Sequence, residues 1–491
     1  MSKITKKITI LLTLMTTSSF AQGNDVDKLV SAMKSETPII ADLQQLTDEI
    51  GARLTGTKAN EKALDWALEK FQLAGVSAKK ESFAMPRAWV EYNASAQVTG
   101  KNINIETNVV TMPFTGSTPE GGLKAELVNL GKADKNSFLQ HQHLKNKWLL
   151  IETTVLDDQA GIHGLFQEYL DSVDIENKAL SVEAAGIIYM SSRPQNLLYR
   201  HLPSHGADNQ LPIVVIEREQ ALKFQRLLSK GHQLSFNAKL DISHEKPYKT
   251  DNVIAEIKGS THPDEIVLIG AHIDSFDLGT GALDNGSNVS LVIDIARQIK
   301  KLNIQPKRTI RFALYNGEEQ GIFGSWGYTK THSAELAKHI MTATIDIGTG
   351  KISGFFTNGR EEIHPAVAKV LAPVNELGPF EQINVPVVGT DNYDFMMNGV
   401  ANLVANQLDA NYASNYHAES DTFDKVDQQQ LKLNSAIMAA LTLGFANLTE
   451  VSWKKQTVEE VEAMVKTLDI ESSMKTFGLY KSWKNKTRPI R

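Results

Sequence analysis

EIVLIGAHIDSFDLGTGALDNGSNVSLVIDIARQIKKL, residues 265–302, sets an apolar run ahead of a charged, glycine-rich loop and a helical pattern. The run from Glu265 to His272 has the unbroken Ile/Val/Leu character of a parallel strand buried on both faces. Gly286 to Leu302 repeats apolar residues at three- and four-residue steps, as an amphipathic helix does. Between the two, His272, Asp274, Asp277 and Asp284 crowd the place where a buried strand ends. Charge at such a place is either a solvated turn or part of a metal site, and the surrounding chain has to decide.

Downstream, RTIRFALYN (308–316) reads as a strand, GIFGSWGYTKTH (321–332) as a helix start and MTATIDIG (341–348) as another strand. Strands and helices alternate from about residue 246 to 452, the grammar of a doubly wound α/β sheet. Upstream, residues 25–80 carry helical periodicity that stops at Gly75, and VSAKKESFAM and WVEYNASAQV alternate as strands do. Residues 22–118 are expected to form the N-terminal part of this same domain. Residues 119–245 differ in texture. KAELVNL, KWLLIETT, AGIIYMSS and LPIVVIE are short β-rich runs separated by polar stretches, which predicts an inserted small α/β or β-rich module. It has no phosphate-binding glycine loop. His141, His143, His201 and His205 fall within it, and we read them as surface histidines because no carboxylate pattern accompanies them. Residues 453–491 form a helical, basic extension, and its end, YKSWKNKTRPIR, reads as a solvated tail.

The 491 residues suffice for two or three domains. Hydrophobic content of 42% and charged content of 22% are ordinary for a globular protein, and a dispersed net charge of -6 gives no grip on nucleic acid. Lys3, Lys6 and Lys7 precede the short apolar run ITILLTLMTT, and Ser19 and Ala21 sit at small-residue positions. Residues 1–21 therefore read as a secretory signal cut after Ala21. The run is shorter than the roughly 20 residues a membrane span needs, so the mature protein is expected to be exported, periplasmic or extracellular, with no integral span. The chain has no cysteine, which excludes thiolate metal sites and cysteine nucleophiles. A metal must use His, Asp and Glu.

Chemistry in doubly wound sheets gathers at the carboxyl ends of the strands. The ends here deliver His272 and Asp274, then Asp284 at the mouth of a helix, Glu318 and Glu319, Asp346, and far downstream His417. His272 and Asp274 are two apart on an extended segment, so the carboxylate can accept the second N–H of a metal-bound imidazole. Taken singly each has a plainer reading: a satisfied surface pair, an exposed acidic pair, a helix cap at Asp284. Taken together, two histidines and three carboxylates, with Asp274 and Glu318 left over, balance the charge of two zinc ions and a hydroxide, as a two-metal hydrolytic site does.

HIDSFDLGTGALDNG, YNGEEQGIFGS, TIDIGTG and YHAESDTFDKV resemble the successive motifs of the M28 family of zinc aminopeptidases and carboxypeptidases, nearest to its carboxypeptidase Q (plasma glutamate carboxypeptidase) branch. The resemblance extends upstream through LTDEIGARLTGTKANEKALDWALEKF, and the inserted module resembles a protease-associated domain. It implies a phosphorylase/hydrolase-like zinc-peptidase domain and two Zn2+. Asp284 would bridge the two metals, His272 and Asp346 complete one, and Glu319 and His417 complete the other. Glu318 would be general base and acid, and Asp274 would orient His272. The family also has a cis peptide after the bridging aspartate. The implied activity is hydrolysis of dipeptides or short peptides at a chain end, with amino-, carboxy- and dipeptidase action left open, as is a homodimer. A glutaminyl cyclase-like zinc aminoacyltransferase and a non-catalytic binding protein on a peptidase fold are the rival readings. Tyr393, Tyr412 and Tyr416 are candidate donors to a developing oxyanion, and Arg193, Arg200 and Arg360 are candidates for clamping a substrate carboxylate.

Overall fold

The computed structural model describes residues 18–140, 143–202, 209–244 and 246–488. The expected signal falls largely outside them, as do His141 and His205. Two eight-stranded sheets organise the described chain. The first runs, in spatial order, Ser77–Met85, Tyr248–Ile257, Arg308–Tyr315, His262–His272, His339–Thr344, Asn402–Gln407, Ile352–Phe356 and Glu381–Ile383. Its centre is parallel: the His262–His272 strand pairs in parallel with Arg308–Tyr315 on one side and His339–Thr344 on the other. Every residue of Arg308–Tyr315 is buried, as the apolar run predicts for a strand covered on both faces. Helices Ser18–Lys34, Ser287–Lys301 and Gln428–Asn447 contribute to the large core on one face. On the other, Tyr328, Leu336 and Phe395 cover Ile254, Ile266 and Leu268. Strand ends that share a direction therefore open at one edge, where the loops after His272, Tyr315 and Thr344 meet.

The second sheet takes in the strands from Trp89–Gly100 through Leu234–His244. The break between the two sheets falls between Met85 and Trp89, not near residue 118. Trp89–Gly100 was legible as a strand, but alternation does not name a partner. Its partner is Leu234–His244, paired antiparallel from Trp89↔His244 to Gly100↔Leu234. Of the two readings of this region, the α/β one describes it better. Strands Trp148–Ile151, Gly186–Met190 and Ile213–Ile216 are parallel, helix Gly161–Ser181 connects the first two, and helix Arg218–Ser229 leads from the third to Leu234–His244. His201 corrects the surface reading: it is 2% exposed, because it packs at a tilt against Tyr169 and abuts Tyr416 and His417.

The C-terminal residues fold as helices Val458–Thr467, Ile470–Thr476 and Leu479–Asn485. Thr457 and Glu460 form a capping box at the first of them. Met464, Met474 and Phe477 bury against Tyr393, Met396 and Met397 of helix Asn392–Met397, and Phe477 reaches across to Phe166 and Tyr169. Arg488 pairs with the buried Asp394. The basic end through Arg488 is thus docked, not the solvated tail its charge suggested, because Leu479 and Trp483 give it an apolar side. Among the described residues no helix is long and apolar enough to cross a membrane.

Met474 is fully buried in this junction. Met474→Ala is expected to lower unfolding stability by about 2–5 kcal/mol, whereas a change at exposed Lys481 stays within about 0.5 kcal/mol. Denaturant unfolding of the two variants checks that the extension is a load on the fold and not an appendage.

Candidate metal centre

Arg53 builds the loop that follows the His262–His272 strand. Its guanidinium is fully buried and donates to four carbonyls: Ile273 at 2.8 Å, Gly51 at 3.1 Å, Thr280 at 2.5 Å and Gly281 at 2.9 Å. The planar fork satisfies main-chain acceptors that a buried loop would otherwise leave unpaired. Asp421 holds the next few residues from the opposite side. Its two carboxylate oxygens accept the amides of Leu283 at 2.6 Å and Asp284 at 3.1 Å. The Asp284–Asn285 peptide is cis. Gly281 takes φ 61°, and a Cβ there would collide with Ser275 and the Arg53 guanidinium. Asn285 extends across to Asp346 Oδ1 at 2.8 Å and to the Ile345 carbonyl at 3.0 Å.

The five expected metal ligands converge. Among the described residues, two groups have ligand atoms all within 4.8 Å of one another: His272, Asp284 and Asp346, and Asp284, Glu319 and His417. His272 Nε2 lies 3.0 Å from Asp284 Oδ1 and 2.8 Å from Asp346 Oδ1. His417 Nε2 lies 3.4 Å from Asp284 Oδ2 and 3.1 Å from Glu319 Oε2. The two oxygens of Asp284 therefore face different groups. The Tyr412 hydroxyl donates to Asp284 Oδ2 at 3.0 Å.

Asp274 differs from its expected part. The nearer acceptor for His272 Nδ1 is the Asp274 main-chain carbonyl, at 3.0 Å, while the carboxylate stands at 3.6 Å. The carboxylate instead receives the amides of Glu318 and Glu319, both at 3.2 Å, and the Thr55 hydroxyl at 2.8 Å. Those amides start the loop after Tyr315 and compete for the same oxygens. The result fixes the two glutamates: Glu319 is buried, and Glu318 is half-buried. The pair sits in a turn, with the Gly321 and Ile322 amides on the Glu318 carbonyl, and its two members differ in exposure.

The charges press on one another. Burial favours a neutral His272, but Asp346, Asp274 and Asp284 outweigh it and raise its proton affinity well above the ordinary value. Glu319 and Asp284 do the same for His417, pushing it up to about 9 against the pull of burial. Burial opposes charge on Asp284, yet hydrogen bonds from His272 and His417 hold its carboxyl well below the usual range. Burial drives Glu319 up to about 7 against the attraction of His417. Burial, with Asp346 and Glu319 added and His272 opposing, lifts Glu318 well above a normal glutamate. In side-chain charges alone, protons on two imidazoles answer only part of this crowd. Divalent cations would supply more positive charge and leave the ring nitrogens to coordinate. Glu319 Oε1 is buried with no hydrogen-bond partner among the described residues, so a donor oxygen is free for a metal. The residues fit a metal pair.

Several contributors escaped sequence reading. Arg53, Thr55 and Asp421 lie in motifs that drew attention only as resemblance or not at all. Asp391 is fully buried near the cluster, and burial and Asp346 raise its carboxyl well above normal even though His272 attracts its charge. The candidate carboxylate clamps are already engaged. Arg193 pairs with Glu168, Arg200 with Glu91 and Asp277, and Arg360 with Glu362 and two main-chain carbonyls. Tyr393 is packed under the C-terminal helices, whereas Tyr416 stacks on His417 with ring centroids 3.5 Å apart.

Residues 252–442 match the pattern of the family described as Peptidase family M28. Over 412 residues the chain is 25% identical to carboxypeptidase Q of Mus musculus, which covers 83% of this chain and 85% of that protein. The solved structure of a peptidase M28 precursor from Shewanella amazonensis SB2B superposes with a TM-score of 0.79 at 27% identity, covering 90% of this chain and all 100% of that one. The structure of BSAP, a zinc aminopeptidase from Bacillus subtilis, shares the fold with a TM-score of 0.65 at 20% identity, over 82% of this chain and 93% of its own. The family pattern lies over the segment that carries the cluster, and a solved peptidase M28 precursor is alike over nearly the whole chain, so this mixed α/β protein is similar to peptidase family M28, with the family pattern itself over residues 252–442.

Proposed function

We propose that the chain is an exported exopeptidase that cuts dipeptides or short peptides at a chain end and works with two zinc ions. His272, Asp284 and Asp346 would hold one ion, and Asp284, Glu319 and His417 the other, a nitrogen and oxygen donor set that zinc accepts. The observation that carries the reading is the division of the Asp284 carboxylate, with Oδ1 3.0 Å from His272 Nε2 and Oδ2 3.4 Å from His417 Nε2. Zinc bound there supplies Lewis acidity and brings a water pKa toward about 7. Zinc is named for the Bacillus relative of the same fold, and carboxypeptidase action for the mouse one.

The chain's own residues do the rest. Glu318 is the half-buried member of the pair, and its amide is anchored on Asp274, so its carboxylate is held beside the cluster. It takes a proton from the attacking water and returns it to the leaving amine. Asp274 aims His272 through its main-chain carbonyl and locks the two glutamates through its side chain. Tyr412 steadies Asp284 by donating to it, and Tyr416 and Phe276 flank the His417 ring, with centroids 3.5 and 4.4 Å away, and keep it from turning. Export rests on the basic and apolar N-terminal stretch, and the mature protein should begin at Gln22.

Chelation is expected to abolish dipeptide hydrolysis and zinc to restore it, with two ions per chain by elemental analysis; one ion at full activity would refute the pair. Glu318→Gln should retain both ions and lose at least about a hundredfold in turnover, while Glu319→Gln should lose metal first. The opposite pattern would exchange their roles. Arg53→Lys cannot span four carbonyls, and its zinc affinity should fall by about tenfold or more, read by competition with a coloured chelator.

A further inference from the structure

A cavity associated with the second sheet is lined by none of the expected metal ligands. It holds about 200 Å³ and lies between helix Gly161–Ser181 and the segments that follow strands Trp148–Ile151 and Gly186–Met190. Met112, Ile151, Leu156 and Ile175 give it apolar walls. Glu152, Glu168, Asp171 and Glu176 also line it, against one lysine, Lys132. Arg193, behind the lining, engages Glu168 at 3.1 Å, so negative charge remains in excess.

Tyr189 gives a second, independent sign of a ligand. It lines the cavity at 4% exposure, and its hydroxyl has no hydrogen-bond partner among the described residues. Burial, with Glu176, Tyr199 and Glu168 around it, keeps that phenol protonated. A neutral phenol oxygen accepts hydrogen bonds, and a buried one left without a partner is costly.

One wall of the cavity reaches the expected ligand His417 through His201. Tyr199 and His201 line its edge, and the segment they belong to is bonded to the His417 segment. The Arg200 amide donates to the His417 carbonyl at 3.1 Å, and His417 Nδ1 lies 3.1 Å from the Arg200 carbonyl. The His201 and His417 ring centroids are 5.8 Å apart.

We propose that this cavity is a side-chain subsite of the peptidase, and that it takes the lysine or arginine side chain next to the cut bond. The proposal rests on the peptidase reading. An aliphatic stem matches the apolar walls and a cationic head matches the carboxylates and the Tyr189 oxygen. A purely aliphatic side chain would desolvate those carboxylates and offer them nothing in return.

The test compares kcat/KM for Lys-Ala, Ala-Lys, Arg-Ala and Ala-Arg with Leu-Ala and Ala-Leu, using the zinc-loaded full chain. At one of the two positions the basic dipeptides should exceed the leucine ones by about tenfold or more, the worth of a hydrogen bond to a charged group. Tyr189→Phe and exposed Asp171→Asn should each shrink that preference severalfold and leave the leucine dipeptides unchanged. Equal rates for basic and leucine dipeptides, or variants that slow both alike, would overturn the subsite. Calorimetry with lysine amide and norleucine amide runs in parallel. If no dipeptide is cut yet lysine amide binds and Tyr189→Phe weakens it, the peptidase reading fails and the cation site stands. If dipeptides are cut without basic preference and lysine amide does not bind, the subsite fails alone.

Discussion

Asp284 sits between two histidines, and the surrounding structure exists to keep it there. A carboxylate this deeply buried is tolerable only if its charge is answered on both oxygens. His272 answers one from a strand end and His417 the other from a turn 145 positions further along the chain. Neither side chain could hold its place alone. The parallel centre of the sheet sets His272, the stacked Tyr416 ring sets His417, and Asp421 fixes the main chain of Asp284 itself. Like charges so close together repel, so a folded protein with this cluster is poised for positive charge from outside.

Below that cluster lies a layer of main-chain anchoring. Arg53 and Asp421 bond to carbonyls and amides, not to the reacting groups, and between them they define the path of residues 273–284. The position of a side chain at the end of a strand is only as exact as the loop that carries it. Asp274 has the same office for the glutamates, which explains why its carboxylate is drawn away from His272.

Legibility followed sequence distance. The strand through His272 and the helix from Ser287 announce themselves by local apolar period, and so did the charged ends between them. Arg53 could not, because its partners Ile273 and Gly281 are 220 and 228 residues away and its role is to bond backbone, which leaves no pattern. His201 was misread for a related reason. A polar stretch looks like surface until a second layer packs on it, and Tyr169 and His417 are what cover it. The sheet boundary slipped because strand alternation in Trp89–Gly100 identifies a strand without saying which sheet it joins. The basic C-terminal stretch hid its anchoring behind its charge; one salt bridge to buried Asp394 and a few apolar contacts decide its fate.

The strands Ser77–Met85 and Tyr248–Ile257 pair antiparallel, and the last pair in their register is Met85↔Tyr248. The second sheet leaves and re-enters the first at two neighbouring positions, so it hangs where a hairpin turn would otherwise stand. A chain that closed this gap with a tight turn would keep the order and direction of every strand in the first sheet. The peptidase half can therefore acquire, exchange or shed its companion without being rethreaded, and the cost of doing so falls on the contacts around His201 and not on topology.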